Sequence, residues 1–128
     1  MTVLCNRRYW FVLLAGLVCF ATSVASAATE SAGSVTVGRI LISPTSGKIL
    51  FGVSPVPPHT CNYYNSIQFT FDPTTTKGKN MYALLLEAKA LGKVIDVYYE
   101  DSAAPGTTET NGCTETTVSL LDGLGFSY

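Results

Sequence analysis

The stretch from Lys77 to Glu100, KGKNMYALLLEAKALGKVIDVYYE, constrains the fold more than any other part of the chain. Apolar residues fall at Met81, Leu84, Leu85, Ala88 and Leu91, the i, i+3, i+4, i+7 spacing of one buried helical face. Ala, Leu, Glu and Lys all favour the helix, and no proline interrupts them. Gly92 stands where a left-handed residue closes a helix, with Lys89 and Lys93 near its negative end. The period then switches from 3.6 to 2, with Ile95, Val97 and Tyr99 pointing one way and Asp96, Tyr98 and Glu100 the other. One helix followed at once by one strand is the unit around which the remaining, strand-like segments must pack.

The first 27 residues read as an export signal. Arg7 and Arg8 precede the apolar run Tyr9 to Ala21, and Ala25-Ser26-Ala27 is a small-residue cleavage site. The run is shorter than the ~20 residues that span a bilayer, which disfavours an uncleaved anchor. The expected domains are thus a signal peptide, residues 1–27, and one secreted domain, residues 28–128. Residues 28–128 carry six basic and nine acidic side chains, a net charge of −3. Such a surface has no electrostatic reason to seek phosphate backbones or anionic lipid. The expectation is no nucleic acid, no membrane insertion after signal removal, and a secreted or periplasmic location. Cys5 and Cys19 leave with the signal, so Cys61 and Cys113 form the one pair left in an oxidising compartment, and a disulfide is expected. Closing a loop of about 50 residues contributes on the order of 4 kcal/mol in the chain-entropy model.

Ala28 to Ser34 is small and polar and reads as a frayed lead. Val35 to Ser43 and Lys48 to Val53 form a hairpin across the turn Pro44-Thr45-Ser46-Gly47, and Gly52 marks a bulge or a close backbone approach. Ser66 to Phe71 (SIQFTF) alternates as a strand with Ile67, Phe69 and Phe71 on one face. Asp101 to Asn111 is a long polar loop, and Thr114 to Tyr128 is strand-like again. The order β-β-β-α-β-β in a small antiparallel set predicts a mainly β domain with one helix and one disulfide, a five-stranded OB-type barrel. A plain α+β sandwich with the helix on one sheet face is the structural alternative.

Catalysis is poorly provided for. His59 is the only histidine, no serine lies in a G-x-S-x-G context, and His59 with Cys61 and Cys113 lacks zinc-site spacing. Neither a metal nor another cofactor is expected. Glu100-Asp101, with Glu109 and Glu115 nearby, reads as a solvated acidic loop rather than a carboxylate pair or a calcium loop. Tyr63, Tyr64, Tyr98 and Tyr99 with the Ser/Thr-rich turns offer stacking faces and neutral hydrogen-bonding groups of the kind that bind sugars, although tyrosine and threonine are also ordinary strand residues. On the helix, Tyr82, Ala83, Leu86 and Ala90 add a second weakly polar side, expected to be covered by a neighbouring subunit, or else by a sheet edge or the N-terminal lead.

The run Gly78-Lys79-x-Met81-Tyr82-Ala83-Leu84-Leu85-Leu86-x-Ala88-x-Ala90-x-Gly92-Lys93, with Val97-Tyr98-Tyr99, resembles the helix-to-strand segment of the subtilase cytotoxin B subunit family. Gly38-Arg39-Ile40 and Asn111-Gly112-Cys113 fit the same layout. The resemblance implies an OB-fold B subunit of a bacterial toxin: a homo-oligomer of five, helices around a central pore, a host glycan as ligand and a catalytic A subunit as partner. Val37, before Gly38, departs from the polar ligand-contacting residue that the resemblance would place there. The resulting expectation is a secreted, non-catalytic binding module. The rivals are a stand-alone exported structural or inhibitory protein without ligand, and a small secreted hydrolase whose turnover depends on His59 or on Glu100 and Asp101.

Overall fold

The computed structural model describes residues 28–128; the signal-peptide reading falls on residues 1–27, outside the described residues. The elements are β1 (Thr29–Ile42), β2 (Ile49–Ser54), β3 (Phe69–Phe71), α1 (Thr76–Leu91), β4 (Val94–Glu100) and β5 (Ser119–Phe126).

The helix and its exit follow the local chemistry. Thr75, in extended backbone, accepts the Gly78 amide on its hydroxyl at 2.9 Å, an N-cap. Gly92 ends the helix at φ 62°, a left-handed conformation that a Cβ would penalise. Met81, Leu85 and Ala88 are buried, whereas Leu91 is 60% exposed and Leu84 only half-buried. The expected apolar stripe is therefore corrected to a narrower one: α1 rests on the sheet along a single line, and Leu91, in the last turn, lies beyond it. In β4 the alternation holds, with Ile95, Val97 and Tyr99 fully buried.

The strands pair in the order β1-β2-β3-β5-β4, and β4 returns to β1, so the ring closes. The regular antiparallel OB-type barrel expected from the sequence is corrected. The sheet is mixed, because β3 and β5 run parallel, and they share only two residue pairs, Phe69 with Ser119 and Thr70 with Leu120. What stands is a mostly-β domain with one helix, five strands in the expected order and one disulfide.

Two segments differ from their sequence reading. Ala28 to Ser34 is not a frayed lead: β1 begins at Thr29, and Thr29 to Ala32 pair with Glu100 to Val97. The ladder shifts at Gly33-Ser34, where the Ser34 amide donates to Asp96 Oδ1 at 3.1 Å. Small polar residues have little strand preference of their own; pairing along the open side of β4 supplies it. Ser66 to Gln68 in turn leave the third strand. Ser66 and Ile67 donate their amides to the Tyr63 carbonyl, at 3.2 and 2.9 Å, and Gln68 takes over the missing rung by accepting the Val53 amide on Oε1 at 2.9 Å. Gly52 permits this arrangement, since a Cβ there would stand 1.6 Å from the Ser66 carbonyl oxygen.

The departure at Ile67 splits the apolar residues in two. Phe51, Phe69, Phe71, Val97 and Tyr99 fill the inside of the ring over Met81, Leu85 and Ala88. Ile67, expected beside Phe69, instead joins Leu50, Val118 and the Cys61–Cys113 disulfide in a second cluster outside the ring. The expected bond is present, with Cα atoms 5.6 Å apart across 52 residues, and it ties the 55–67 segment to the 101–118 loop.

Candidate functional site

Register places Leu50, Thr70 and Leu120 side by side on the outer face of β2, β3 and β5, because Thr70 is opposite both Leu50 and Leu120. The β1–β2 turn rises on one side of this row and the 101–118 loop on the other. The turn is held by Ser43, whose Oγ accepts the Thr45 and Ser46 amides at 3.2 and 3.1 Å. Its partner across the gap is Glu115, which accepts the Ser46 hydroxyl on Oε1. The Ser46 hydroxyl first, then that of Ser43, with the Lys48 charge, hold the Glu115 carboxyl below the usual carboxylate range.

Two cavities of about 290 Å³ each meet at Glu115. One is lined by Ser46, Lys48, Thr70, Val118 and Leu120. The other is lined by Leu41, Pro44, Leu50, Tyr63 and Tyr64. In the first, Thr70 is only 6% exposed, and its hydroxyl oxygen is buried with no hydrogen-bond partner among the described residues. A buried hydroxyl without a partner is costly to keep, so a group that can meet it is favoured in that cavity. Lys48 offers donors and Glu115 acceptors around it. In the second cavity the Tyr63 and Tyr64 rings lie against each other, tilted by 38° with centroids 4.3 Å apart, and Tyr64 is 55% exposed. The neighbouring Tyr64 hydroxyl, slight burial and the charges of Glu115 and Glu109 all raise the Tyr63 pKa. A larger cleft of about 590 Å³ lies far from these groups, between Gly92–Val94 and Phe126–Tyr128. Its ammonium, Lys93, already sits over the Phe126 ring at 4.9 Å.

The four tyrosines singled out in the sequence thus separate. Tyr63 and Tyr64 meet at a cavity; Tyr98 is exposed on the outside of β4; Tyr99 belongs to the core and donates its hydroxyl to the Pro58 carbonyl at 2.9 Å. Burial first, then the charges of Glu30 and Asp101, raise the Tyr99 pKa.

His59 Nδ1 stands 3.8 Å from Asp101 Oδ2, and the Ser102 amide donates to the His59 carbonyl. Ser102 follows Asp101 in sequence, but its hydroxyl donates to the Thr117 carbonyl at 2.5 Å and accepts the Ala104 amide at 3.0 Å. The His59–Asp101 pair joins the 55–67 segment to the 101–118 loop. On the helix, Ala83, Leu86 and Ala90 are exposed, while Tyr82 packs half-buried against the core. The N-terminal segment that could have covered this side is paired with β4 instead.

Thr70 and Glu115 escaped the sequence reading, Thr70 as an outward residue of a strand and Glu115 as part of a solvated loop. No spacing signal links them, because they are brought together across the ring.

No protein-family model matches the chain, and no curated protein matches it. Neither comparison lends support to the likeness to subtilase cytotoxin B subunits. The toxin-B, OB-fold and carbohydrate-binding attributes attached through that likeness are withdrawn as inherited traits, and any ligand has to be argued from the geometry alone.

Proposed function

We propose that the protein is a non-catalytic binding module that takes a small hydroxyl-rich ligand at the Glu115 face, a sugar unit being the first to test. The observation that carries this reading is the buried Thr70 hydroxyl, unpartnered among the described residues, beneath a cavity that has an ammonium on one side and a carboxylate on the other. Sugar hydroxyls donate and accept at once, which suits a site offering both roles beside the apolar walls of Val118 and Leu120. The two tyrosine rings next door add an aromatic surface for the adjoining unit.

Thr70→Val separates binding from folding. It keeps the side-chain shape and removes a hydroxyl that has no partner in the fold, so thermal stability holds or rises. Affinity for a bound sugar, measured by titration calorimetry over a panel of mono- and oligosaccharides, should fall about tenfold, the loss of one hydrogen bond. No binding by any sugar at millimolar concentration, or binding indifferent to Thr70→Val, would sink the reading.

A second reading, self-association through α1, rests on the exposed Leu86 (44%) between exposed Ala83 and Ala90. Light scattering after size exclusion tests it: a mass of several chains that Leu86→Glu reduces to one supports it, and a monomer at all concentrations removes it.

A further inference from the structure

The two cavities that share Glu115 differ in chemistry, and the difference bears on the ligand. Lys48 lies on the Thr70 side, so an incoming cation is disfavoured there. The other side has Leu41, Pro44 and Leu50 as apolar walls, two tyrosine rings, and the Glu115 carboxylate at its mouth. Aromatic faces attract cations through the ring quadrupole, and a carboxylate beside them adds direct charge. A second carboxylate strengthens the field: the charge of Glu109 helps raise the Tyr63 pKa, its Oε1 accepts Asn65 Nδ2 at 3.5 Å, and its Oε2 is buried with no partner among the described residues. The Ser46 hydroxyl bonds Glu115 Oε1 and leaves further acceptor positions on the carboxylate.

We propose that the tyrosine cavity receives an ammonium group, so that the ligand of this face is a sugar carrying a free amine, with its ammonium at Glu115, Tyr63 and Tyr64 and its hydroxyls reaching Thr70. This rests on the hydroxyl-ligand reading of the same face and narrows it to one class. An N-acetylated sugar would set a neutral amide against the carboxylate and forfeit the ion pair and the cation–π attraction. An anionic sugar would meet Glu115 and Glu109 with like charge.

The test is titration calorimetry of the purified protein with a glucosamine oligomer and with the N-acetylglucosamine oligomer of the same length. The free amine should bind at least about tenfold more tightly, the scale of a charge-assisted hydrogen bond. Glu115→Gln keeps an acceptor oxygen for Ser46 and removes the charge, so the two oligomers should then bind alike, with thermal unfolding used to confirm an intact fold. Tyr64→Leu, at an exposed position, serves as a second variant and should also reduce the preference. Equal affinity of the two oligomers for the unaltered protein, tighter binding of the acetylated one, or a preference that survives both substitutions overturns the ammonium site while leaving the hydroxyl-ligand reading in place. Failure of the protein to bind either oligomer or any other sugar overturns both.

Discussion

The interior of the ring and the disulfide cluster outside it are both apolar, yet they are held by different means. Inside, Phe51 packs on Phe69 and Phe71 with centroids 5.2 and 6.0 Å apart, Tyr99 meets Phe69 edge-on at 5.1 Å, and strand pairing surrounds them. Outside, Ile67, Leu50 and Val118 gather around one covalent bond, and the backbone near them is irregular. Its polar groups are met singly: Thr60 donates to the Pro57 carbonyl at 2.7 Å, Ser102 to Thr117, and Gln68 Nε2 to Asn62 Oδ1 at 2.7 Å. Apolar volume can organise regular strands, whose amides pair with one another. Loops can pack as densely only where a cross-link limits their freedom and side chains replace the ladder. The cavities at Glu115 lie on the outer side, against Leu50 and Val118.

The comparison can be broken from either side. Phe69→Ala removes the ring that touches both Phe51 and Tyr99, and its cost is expected at about 3–5 kcal/mol, the range for a buried aromatic. Denaturant unfolding should show the loss as one transition, with both regions falling together. Cys61→Ser with Cys113→Ser should cost about 2–4 kcal/mol. Hydrogen exchange then distinguishes the regions: amides of residues 101–118 should lose protection while those of β1 and β4 keep theirs. Uniform loss across the chain would show that the outer cluster is no separate region. Gln68→Leu tests the boundary itself. Gln68 is 1% exposed, and its loss strands the Val53 amide and the Asn62 side-chain Oδ1, at an expected cost of about 1–3 kcal/mol. A stability unchanged by Gln68→Leu would mean that β2 needs no help where β3 stops short.

What could be read in the sequence follows the same division. The helix, its glycine stop, the alternation of β4 and the β1–β2 hairpin are visible because period, cap and turn chemistry are local. The disulfide is visible because only one pairing remains after residues 1–27 are set aside. The first half of β1 is not, since Thr29 to Ala32 become a strand only by lying along β4. Nor is Ile67, which alternates correctly with Phe69 and Phe71 but sits where Gly52 lets the Ser66 carbonyl crowd in and the chain turn away. The Glu115 face was least legible of all. Ser46, Thr70 and Glu115 come from a turn, a three-residue strand and a long loop, and each taken alone reads as an ordinary polar residue.

The two-pair join between β3 and β5 gives that face a mechanical role. Thr70 is half of one of those pairs, and the ring has no shorter ladder. Fluctuations that part the strands should start at this join, where the fewest bonds must open, and they would pull apart the floor of the Thr70 cavity. A molecule seated there spans the join and acts as a removable rivet. Occupancy would then register as slower exchange at Leu120 and at the Ser119 amide, which donates to the Gln68 carbonyl at 3.0 Å, before it registered anywhere else in the chain.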